Sequence, residues 1–386
     1  MAFYQIPGQT KIVNSFRQLV DESRVPHSIL IHERPGGSGL AIAIHLARML
    51  LCENRQGGDP CDECPQCVKT MQHTHPDMHY VFPNNTNSRF KRAEQRFSDN
   101  FYPEWREALT QHPFLTLAEW YKRIDIEKKQ GFIGDEDVTS VRKKLTLRAH
   151  GGRYRVFIIW HAEKMNHSFA NKILKNLEEP TDKTVFILIT STPALLLPTI
   201  VSRVQIFKEE IISEEELAHF LVRQFDASEN QARISANRSE GNVSKAIKHV
   251  FEEEEPWLKE FQVWMRLAYS RDLEGLLKWS DKMSKNTRDE QKYFCEEALI
   301  IIDRCYRMAW LNSEINSPGD EAKFFRDFSP FINIANAQGF LHLLEEATKD
   351  IQSNLNQKIV WFDSSIKAIR LIHSGKKTAA QNEEHS

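Results

Sequence analysis

Four of the six cysteines fall within one short stretch with the spacing C-x8-C-x2-C-x2-C, at Cys52, Cys61, Cys64 and Cys67. Turns of the C-x2-C kind bring thiolates together around one tetrahedral ion, and four sulfur ligands close such a site against substrate. The pattern therefore predicts one structural zinc ion per chain. An iron–sulfur cluster is the alternative, because its ligands are also cysteines.

Three histidines follow the cysteine cluster, at His73, His75 and His79. They compete as metal ligands in principle, but ordinary loop residues are the simpler interpretation. The other two cysteines, Cys295 and Cys305, lie on a helical pattern and are expected in the core.

A glycine-rich turn, ERPGGSGLA, lies between an apolar run and a helical pattern. A phosphate-binding P-loop has this setting and the pattern G-x-x-x-x-G-K-[ST], whose lysine reaches phosphate and whose hydroxyl reaches magnesium. In register, Glu33 and Ser38 replace the two glycines, Gly39 the lysine and Leu40 the hydroxyl residue. We expect no functional ATP site in this degenerate loop, which comprises Glu33, Gly36, Gly37, Ser38, Gly39 and Leu40.

The strand that should carry catalytic acids lacks them as well. An active P-loop ATPase ends this strand with carboxylates that hold magnesium and orient water. Here Trp160 and His161 take the acid positions, and Glu163 lies two residues too late. These two independent losses argue against ATP hydrolysis.

The elements around these residues alternate strands with helices. The predicted strands are Ser28–His32, Asp77–Phe82, Arg155–Trp160 and Thr184–Thr190. Near-continuous apolar runs are typical of strands buried on both faces of a parallel sheet. With helical patterns at Leu40–Leu51 and Asn166–Leu177, they predict a doubly wound α/β domain of the P-loop type.

One segment, Asn84–Gly134, fits this alternation poorly. It is rich in aromatic and charged residues and has helical spacing at Pro103–Leu109 and Leu117–Lys122. We interpret it as an insertion between elements of the sheet.

The pattern becomes helical after Phe207. Ser213 predicts a capped helix start, because a serine caps well and the acids Glu214–Glu216 favour a helix N-terminus. The acidic run Glu252–Glu255 marks a boundary, and an all-helical pattern follows it up to His373. The polar stretch 374–386 is predicted to be disordered.

Composition excludes several classes of protein. A chain of 386 residues predicts two or three domains, and 41% hydrophobic with 27% charged residues is ordinary for a soluble protein. A net charge of -2 gives no global attraction to nucleic acid. There is no apolar run of membrane-spanning length and no signal pattern, so we expect a cytoplasmic protein.

Taken together, these segments resemble the bacterial DNA polymerase III clamp-loader family, which is a branch of the AAA+ proteins. The resemblance covers about Tyr4–Lys248, apart from the insertion. It rests on the cysteines placed after the P-loop helix, HPD at His75–Asp77, LKNLEEP at Leu174–Pro180, and the pair Ser202–Arg203.

Within the family, the pattern is most similar to the delta-prime subunits, which tolerate loss of the lysine and the acids. The resemblance implies an AAA+ nucleotide-binding-like α/β domain at 1–208, with a zinc module at about 52–79 and the insertion at about 84–134. It further implies a helical lid domain at 209–255, an all-helical collar for oligomerisation at 256–373, and the tail 374–386.

The resemblance also implies a role for Ser202 and Arg203 as an arginine finger acting in trans. A guanidinium is always charged and can neutralise charge that develops during phosphoryl transfer on a neighbouring subunit. Val204 stands where the family usually has cysteine. Ser244 stands where active members carry a nucleotide-sensing arginine, and Lys245 is adjacent.

The implied function is a non-hydrolysing, delta-prime-like subunit that is not itself an enzyme and acts within the DNA polymerase III holoenzyme. Its implied partners are the clamp-loader ATPase (gamma or tau) and delta subunits, with the sliding clamp and primer–template DNA met through the complex. The alternatives are a divergent active ATPase of the gamma or tau kind, or a zinc-ribbon nucleic-acid-binding protein. The basic helical pattern Val138–Arg148 is either a contact to DNA phosphates or a solvated helix face.

Overall fold

The fold is described from a computed structural model, which covers residues 6–146, 154–181, 183–251, 256–311, 319–353 and 355–383. The chain divides into two compact units, Met1–Phe251 and Glu252–Ser386. Among the covered residues, no helix combines the length and the apolar character needed to cross a membrane.

A parallel sheet forms the centre of the first unit. Within the described residues its strands are β1 Ser28–His32, β2 Met78–Val81, β3 Arg155–Ile159, β4 Thr184–Thr190 and β5 Gln205–Lys208. Their order across the sheet is β2-β3-β4-β1-β5, and every neighbouring pair is parallel. All residues of β3 and β4 are buried, as their apolar runs predict.

Helices cover both faces of this sheet. The α-helices described in the first unit are α1 Thr10–Asp21, α2 Gly39–Leu51, α3 Pro65–Met71, α4 Tyr102–Gln111, α5 Leu117–Arg123, α6 Asp135–Thr146, α7 His167–Glu178, α8 Pro198–Val201, α9 Glu214–Phe225, α10 Glu229–Ser239 and α11 Val243–Phe251. Ile29 and Ile31 pack into a core with α1 and α2, whereas Leu30 packs with α6 and α7 on the other face. The alternation follows from the two-residue repeat of a strand.

The predicted insertion packs on the sheet through aromatic rings. Phe82 stacks on Trp105 of α4 with centroids 4.2 Å apart, and Trp105 contacts Trp160 at 5.1 Å. Trp120 of α5 donates its indole N–H to the carbonyl of Pro83 at 2.8 Å. The insertion therefore extends the main core.

Helices α9, α10 and α11 form a small cluster around an apolar core that also includes Ala41 and Phe114. The predicted start of α9 is confirmed, because the Ser213 hydroxyl accepts a hydrogen bond from the Glu216 amide at 3.2 Å. The Glu216 carboxylate bonds back to Ser213, which completes a capping box.

The second unit is helical throughout its described part. Its helices are α12 Pro256–Ser270, α13 Leu273–Met283, α14 Arg288–Leu311, α15 Gly319–Phe328, α16 Ala337–Gln352 and α17 Gln357–Glu383. Trp264 stacks on Trp279 at 5.2 Å in its core, and Cys295 and Cys305 are buried there as expected.

The predicted α/β fold is confirmed by this architecture: a domain with a parallel sheet and helices, a four-cysteine cluster and a helical C-terminal region. The division into domains at 208/209 and 255/256 stays a prediction, and the boundary run 252–255 lies outside the described residues.

Two bounds can be compared with described elements. In the stretch 374–386, α17 continues to Glu383, and 384–386 are not described. The range of about 52–79 for the zinc module ends within β2, which begins at Met78 and pairs with Val156. Both bounds stay predictions.

Candidate functional site

The four clustered cysteines converge on one point. Their sulfur atoms all lie within 4.8 Å of one another, with Cys52 Sγ 3.5 Å from Cys61 Sγ, and Cys61 Sγ 3.9 Å from Cys67 Sγ. Zinc–sulfur bonds of about 2.3 Å place tetrahedral sulfurs about 3.8 Å apart, so the residues fit such an ion. When bound, the ion would supply a structural crosslink and no reaction.

Local backbone geometry prepares these thiols. The Cys64 amide donates to Cys61 Sγ at 3.4 Å, and the Cys67 amide donates to Cys64 Sγ at 3.4 Å. Amides of Glu63 and Cys64 lower the pKa of the Cys61 thiol to about 6, whereas burial raises the pKa of Cys67. The turns thus stabilise thiolate character on the more exposed side of the cluster.

Ion pairs fasten the cysteine loop to the helices behind it. Arg48, which is buried on α2, pairs with Asp62. Arg17 on α1 pairs with both oxygens of Asp59, at 2.9 and 2.6 Å. These contacts place the cluster at the end of α2, whose next residue is Cys52.

The three nearby histidines lie apart from the sulfur group. His73 is hydrogen-bonded to the Tyr80 hydroxyl at 2.8 Å, and His75 contacts the Gln66 side chain at 2.9 Å. His79 packs against Phe157. Among the described residues, the candidate metal group contains the four cysteines alone.

The degenerate loop contains an acidic side chain that the sequence did not reveal. Glu209 follows β5, and its carboxylate accepts hydrogen bonds from the Arg34 amide at 2.7 Å and the Ser38 amide at 2.6 Å. Glycine-rich turns of this kind direct their N–H groups at an anion. The Glu209 side chain therefore fills the concave side of the turn, where it is buried.

A second carboxyl group lies beside the first. Glu33 is buried, and the Gly39 amide favours its charged form. Burial raises the pKa of Glu33 well above its usual value, and the neighbouring Glu209 and Glu163 raise it further. Burial also raises the pKa of Glu209, although the amides of Arg34 and Ser38 favour its charged form.

The residues at the end of β3 are buried or hydrogen-bonded within the chain. Trp160 is buried in the aromatic core, and His161 is hydrogen-bonded to Glu163 at 2.7 Å. Glu163 also accepts from the Thr190 hydroxyl at 2.6 Å. Burial opposes the charge on Glu163, but the bonds from His161 and Thr190 lower its pKa overall.

The helical cluster contacts the loop from the other side. Asn242 donates to the Pro35 carbonyl at 2.9 Å, and the Ser244 amide donates to the Gly36 carbonyl at 3.1 Å. The Ser244 hydroxyl bonds to Phe114 at 2.9 Å. The position that the resemblance assigns to a nucleotide sensor thus holds the loop through short polar contacts.

Arg203 lies near the amino ends of the strands, whereas the degenerate loop lies at their carboxyl ends. It precedes β5, whereas Glu209 follows it, and three rises of about 3.3 Å separate the end residues of that strand by about 10 Å. The guanidinium pairs with Glu178 at the end of α7 and donates to the Thr199 carbonyl at 2.8 Å and to Ser202 Oγ at 3.2 Å. The side chain remains 34% exposed.

Some basic side chains of helix α6 bind groups within the chain. Lys144 pairs with Asp99 at 2.5 Å, and Arg142 donates to the Lys172 carbonyl at 3.4 Å. Lys143 is exposed, and Arg148 lies outside the described residues. Contact with DNA through this helix stays a prediction.

Sequence reasoning found the cysteines, the degenerate loop and Arg203, but it missed Glu209, Glu178 and Asn242. Glu209 lies 175 residues from Arg34 along the chain. In the sequence, Glu209 is visible only as an acidic residue directly after the strand-like run Gln205–Lys208. The pairing of that strand with β1 is what brings Glu209 to the loop.

Comparison with known proteins gives one family. The model of the family described as "DNA polymerase III, delta subunit" matches residues 8–211, which is more than half of the chain. The "DNA polymerase III subunit delta'" of Bacillus subtilis is 27% identical over 62% of this chain and 58% of the relative. The protein of the same name from Yersinia pestis is 31% identical over 49% of this chain and 44% of the relative.

The match thus spans about half the length of these curated relatives. Among solved structures, a DNA polymerase III gamma subunit-related protein from Thermotoga maritima aligns with 94% of this chain and 100% of its own, at 14% identity. Its TM-score is 0.43, a likeness too remote to add to the assignment.

Proposed function

Because the chain belongs to the delta-prime subunit family of DNA polymerase III, we propose that it serves as a non-hydrolysing subunit of the clamp loader. It joins the ATPase (gamma or tau) and delta subunits in the cytoplasm and helps them to place the sliding clamp on primer–template DNA. The chain is then a structural and activating partner of an ATPase and has no turnover of its own.

The observation that carries this proposal is the occupied loop. A triphosphate needs the amides of such a turn, together with a lysine and a hydroxyl that binds magnesium. Here the amides of Arg34 and Ser38 already bond to Glu209, and Glu33 lies beside them. A nucleotide would have to displace one buried carboxylate and approach another, without a lysine to offset the charge.

The second part of the proposal is that Arg203 acts on the nucleotide of a neighbouring subunit. What supports action in trans is its position before β5, at the edge of the sheet away from its own loop. Its guanidinium is partly exposed, and a surface ion pair with Glu178 is weak enough to exchange for a phosphate. An arginine finger of this kind contributes about 10³–10⁵ in kcat to phosphoryl transfer.

The third part is that the cysteine cluster binds zinc, one ion per chain. The sulfur separations support a tetrahedral ion of that size. The closed ligand set favours a structural ion over a catalytic one.

Purification from the native cell, followed by ATPase assays, tests the function. We expect a stoichiometric complex with an ATPase subunit of similar fold, whereas the isolated chain hydrolyses no ATP. Magnesium-dependent turnover by the isolated chain, abolished by a substitution in its own loop, would instead establish a divergent active ATPase. A lone protein that binds DNA would establish the zinc-ribbon alternative.

A further inference from the structure

The degenerate loop is bound to a carboxylate from the chain itself. Oε2 of Glu209 meets the Arg34 amide at 2.7 Å, and Oε1 meets the Ser38 amide at 2.6 Å, so both oxygens are held. Charge-assisted N–H···O bonds of this length are strong, particularly when they are buried. Glu209 is 8% exposed.

The sheet delivers this carboxylate to the loop. β5 pairs with β1, with Lys208 opposite His32, and the Glu209 amide donates to the His32 carbonyl at 3.0 Å. The residue after β5 is thereby fixed beside the turn that follows β1. The contact between Glu209 and the loop therefore depends on the pairing of β5 with β1 and not on a flexible segment.

The loop is shaped around the Glu209 side chain. A Cβ added at Gly37 would overlap the Glu209 carboxylate, and the three nearest atoms to it all belong to Glu209. Gly36, in contrast, has a φ of +66° and meets Asn242, so a side chain there is strained for other reasons. Gly37 is therefore a specific reporter of whether the carboxylate occupies the turn.

We propose that Glu209 is an internal ligand of this loop, whose amides keep the capacity to bind a tetrahedral oxyanion such as phosphate. The chain satisfies that capacity with its own carboxylate, so free phosphate finds no site. This inference concerns anion binding, and it holds or fails independently of whether the chain joins a clamp loader.

The first test uses the full chain, inorganic phosphate as the probe, and Glu209→Ala. At matched ionic strength in chloride, we expect the thermal midpoint of Glu209→Ala to rise by several degrees with millimolar phosphate, and that of the wild type to stay unchanged. Glu210→Ala is the control, because Glu210 is the adjacent glutamate and bonds to Lys11 instead. A folded Glu209→Ala chain that ignores phosphate as the wild type does would overturn the proposal.

The second test is a double-mutant cycle in the same chain. Gly37→Ala should lower the thermal midpoint of the wild type by several degrees but hardly change that of Glu209→Ala, in which the obstructing carboxylate is gone. An equal loss in both backgrounds contradicts the proposal. If Glu209→Ala does not fold, Glu209→Asp replaces it, because its side chain is one methylene shorter and withdraws from the turn.

Discussion

Arg203 and Glu178 form an ion pair within the chain, in which the guanidinium Nε donates to the carboxylate. Glu178 is the last residue of α7, so this helix ends beside the arginine that precedes β5. The proposed finger is therefore held in a defined position before any neighbour is bound. It must exchange this partner for a phosphate.

Replacing Arg203 tests the finger itself. In a reconstituted complex, Arg203→Ala should lower hydrolysis at the site served by this subunit by about 10³-fold or more, since developing charge loses its partner. Arg203→Lys should recover little, because an ammonium lacks the planar fork of donors. Single-turnover ATP hydrolysis measures the effect, and unchanged turnover in Arg203→Ala contradicts the assignment.

Replacing Glu178 tests the exchange of partners. Exposed ion pairs contribute about 0.2–1 kcal/mol, so Glu178→Ala should raise turnover by no more than about fivefold, by freeing Arg203 for the phosphate. Glu179→Ala is the matched control, because Glu179 is the next residue and is exposed. A loss of turnover in Glu178→Ala as large as that in Arg203→Ala would show that Glu178 positions the finger instead.

The buried Glu33 should make stability depend on pH. Its pKa in the folded chain lies well above the usual 4.5, mainly because of burial. Below about pH 4.5 both states are protonated; above it the unfolded chain releases the proton while the folded chain retains it, so stability falls as pH rises towards the folded pKa.

Glutamine carries no such proton, so Glu33→Gln should be more stable than the wild type at pH 7–8 and similar to it near pH 4. Urea denaturation across this range measures the difference, with Glu210→Gln, a half-buried glutamate on the protein surface, as the control. A constant difference at every pH would mean that Glu33 is not the titrating group.

Restoring the P-loop residues alone should not restore ATP binding. A side chain at Gly39 would meet Glu33 and Ile189, so Gly39→Lys with Leu40→Ser should still bind no ATP by calorimetry. Adding Glu33→Gly and Glu209→Ala removes both obstructing carboxyls. If the first pair of substitutions suffices, the carboxyls do not block the site.

The metal prediction is tested by removing one ligand. Cys64→Ser should reduce zinc from about one ion per chain to well below one by elemental analysis, and it should lower the thermal midpoint because metal binding is linked to folding. Cys305→Ala serves as the control, since Cys305 is a buried cysteine of the second unit. Undiminished zinc in Cys64→Ser would place the metal elsewhere.

Much of the fold could be predicted from local pattern. Continuous apolar runs identified β1, β3 and β4, because strands buried on both faces consist mainly of apolar residues. Ser213 was recognised as a cap because capping depends on residues three apart. The stretch 374–386 was predicted to be disordered from its polar composition, whereas the structure continues α17 to Glu383.

The sequence by itself determined which groups are present: four cysteines at metal-binding spacing, a loop that lacks the P-loop lysine and the hydroxyl residue after it, and an arginine after a serine. Only the tertiary structure decided that Glu209 fills that loop and that Glu178 holds Arg203. The reason is physical. Spacing along the chain fixes contacts within a turn, whereas contacts between residues 25 or 175 positions apart depend on how strands pair and helices cross the sheet.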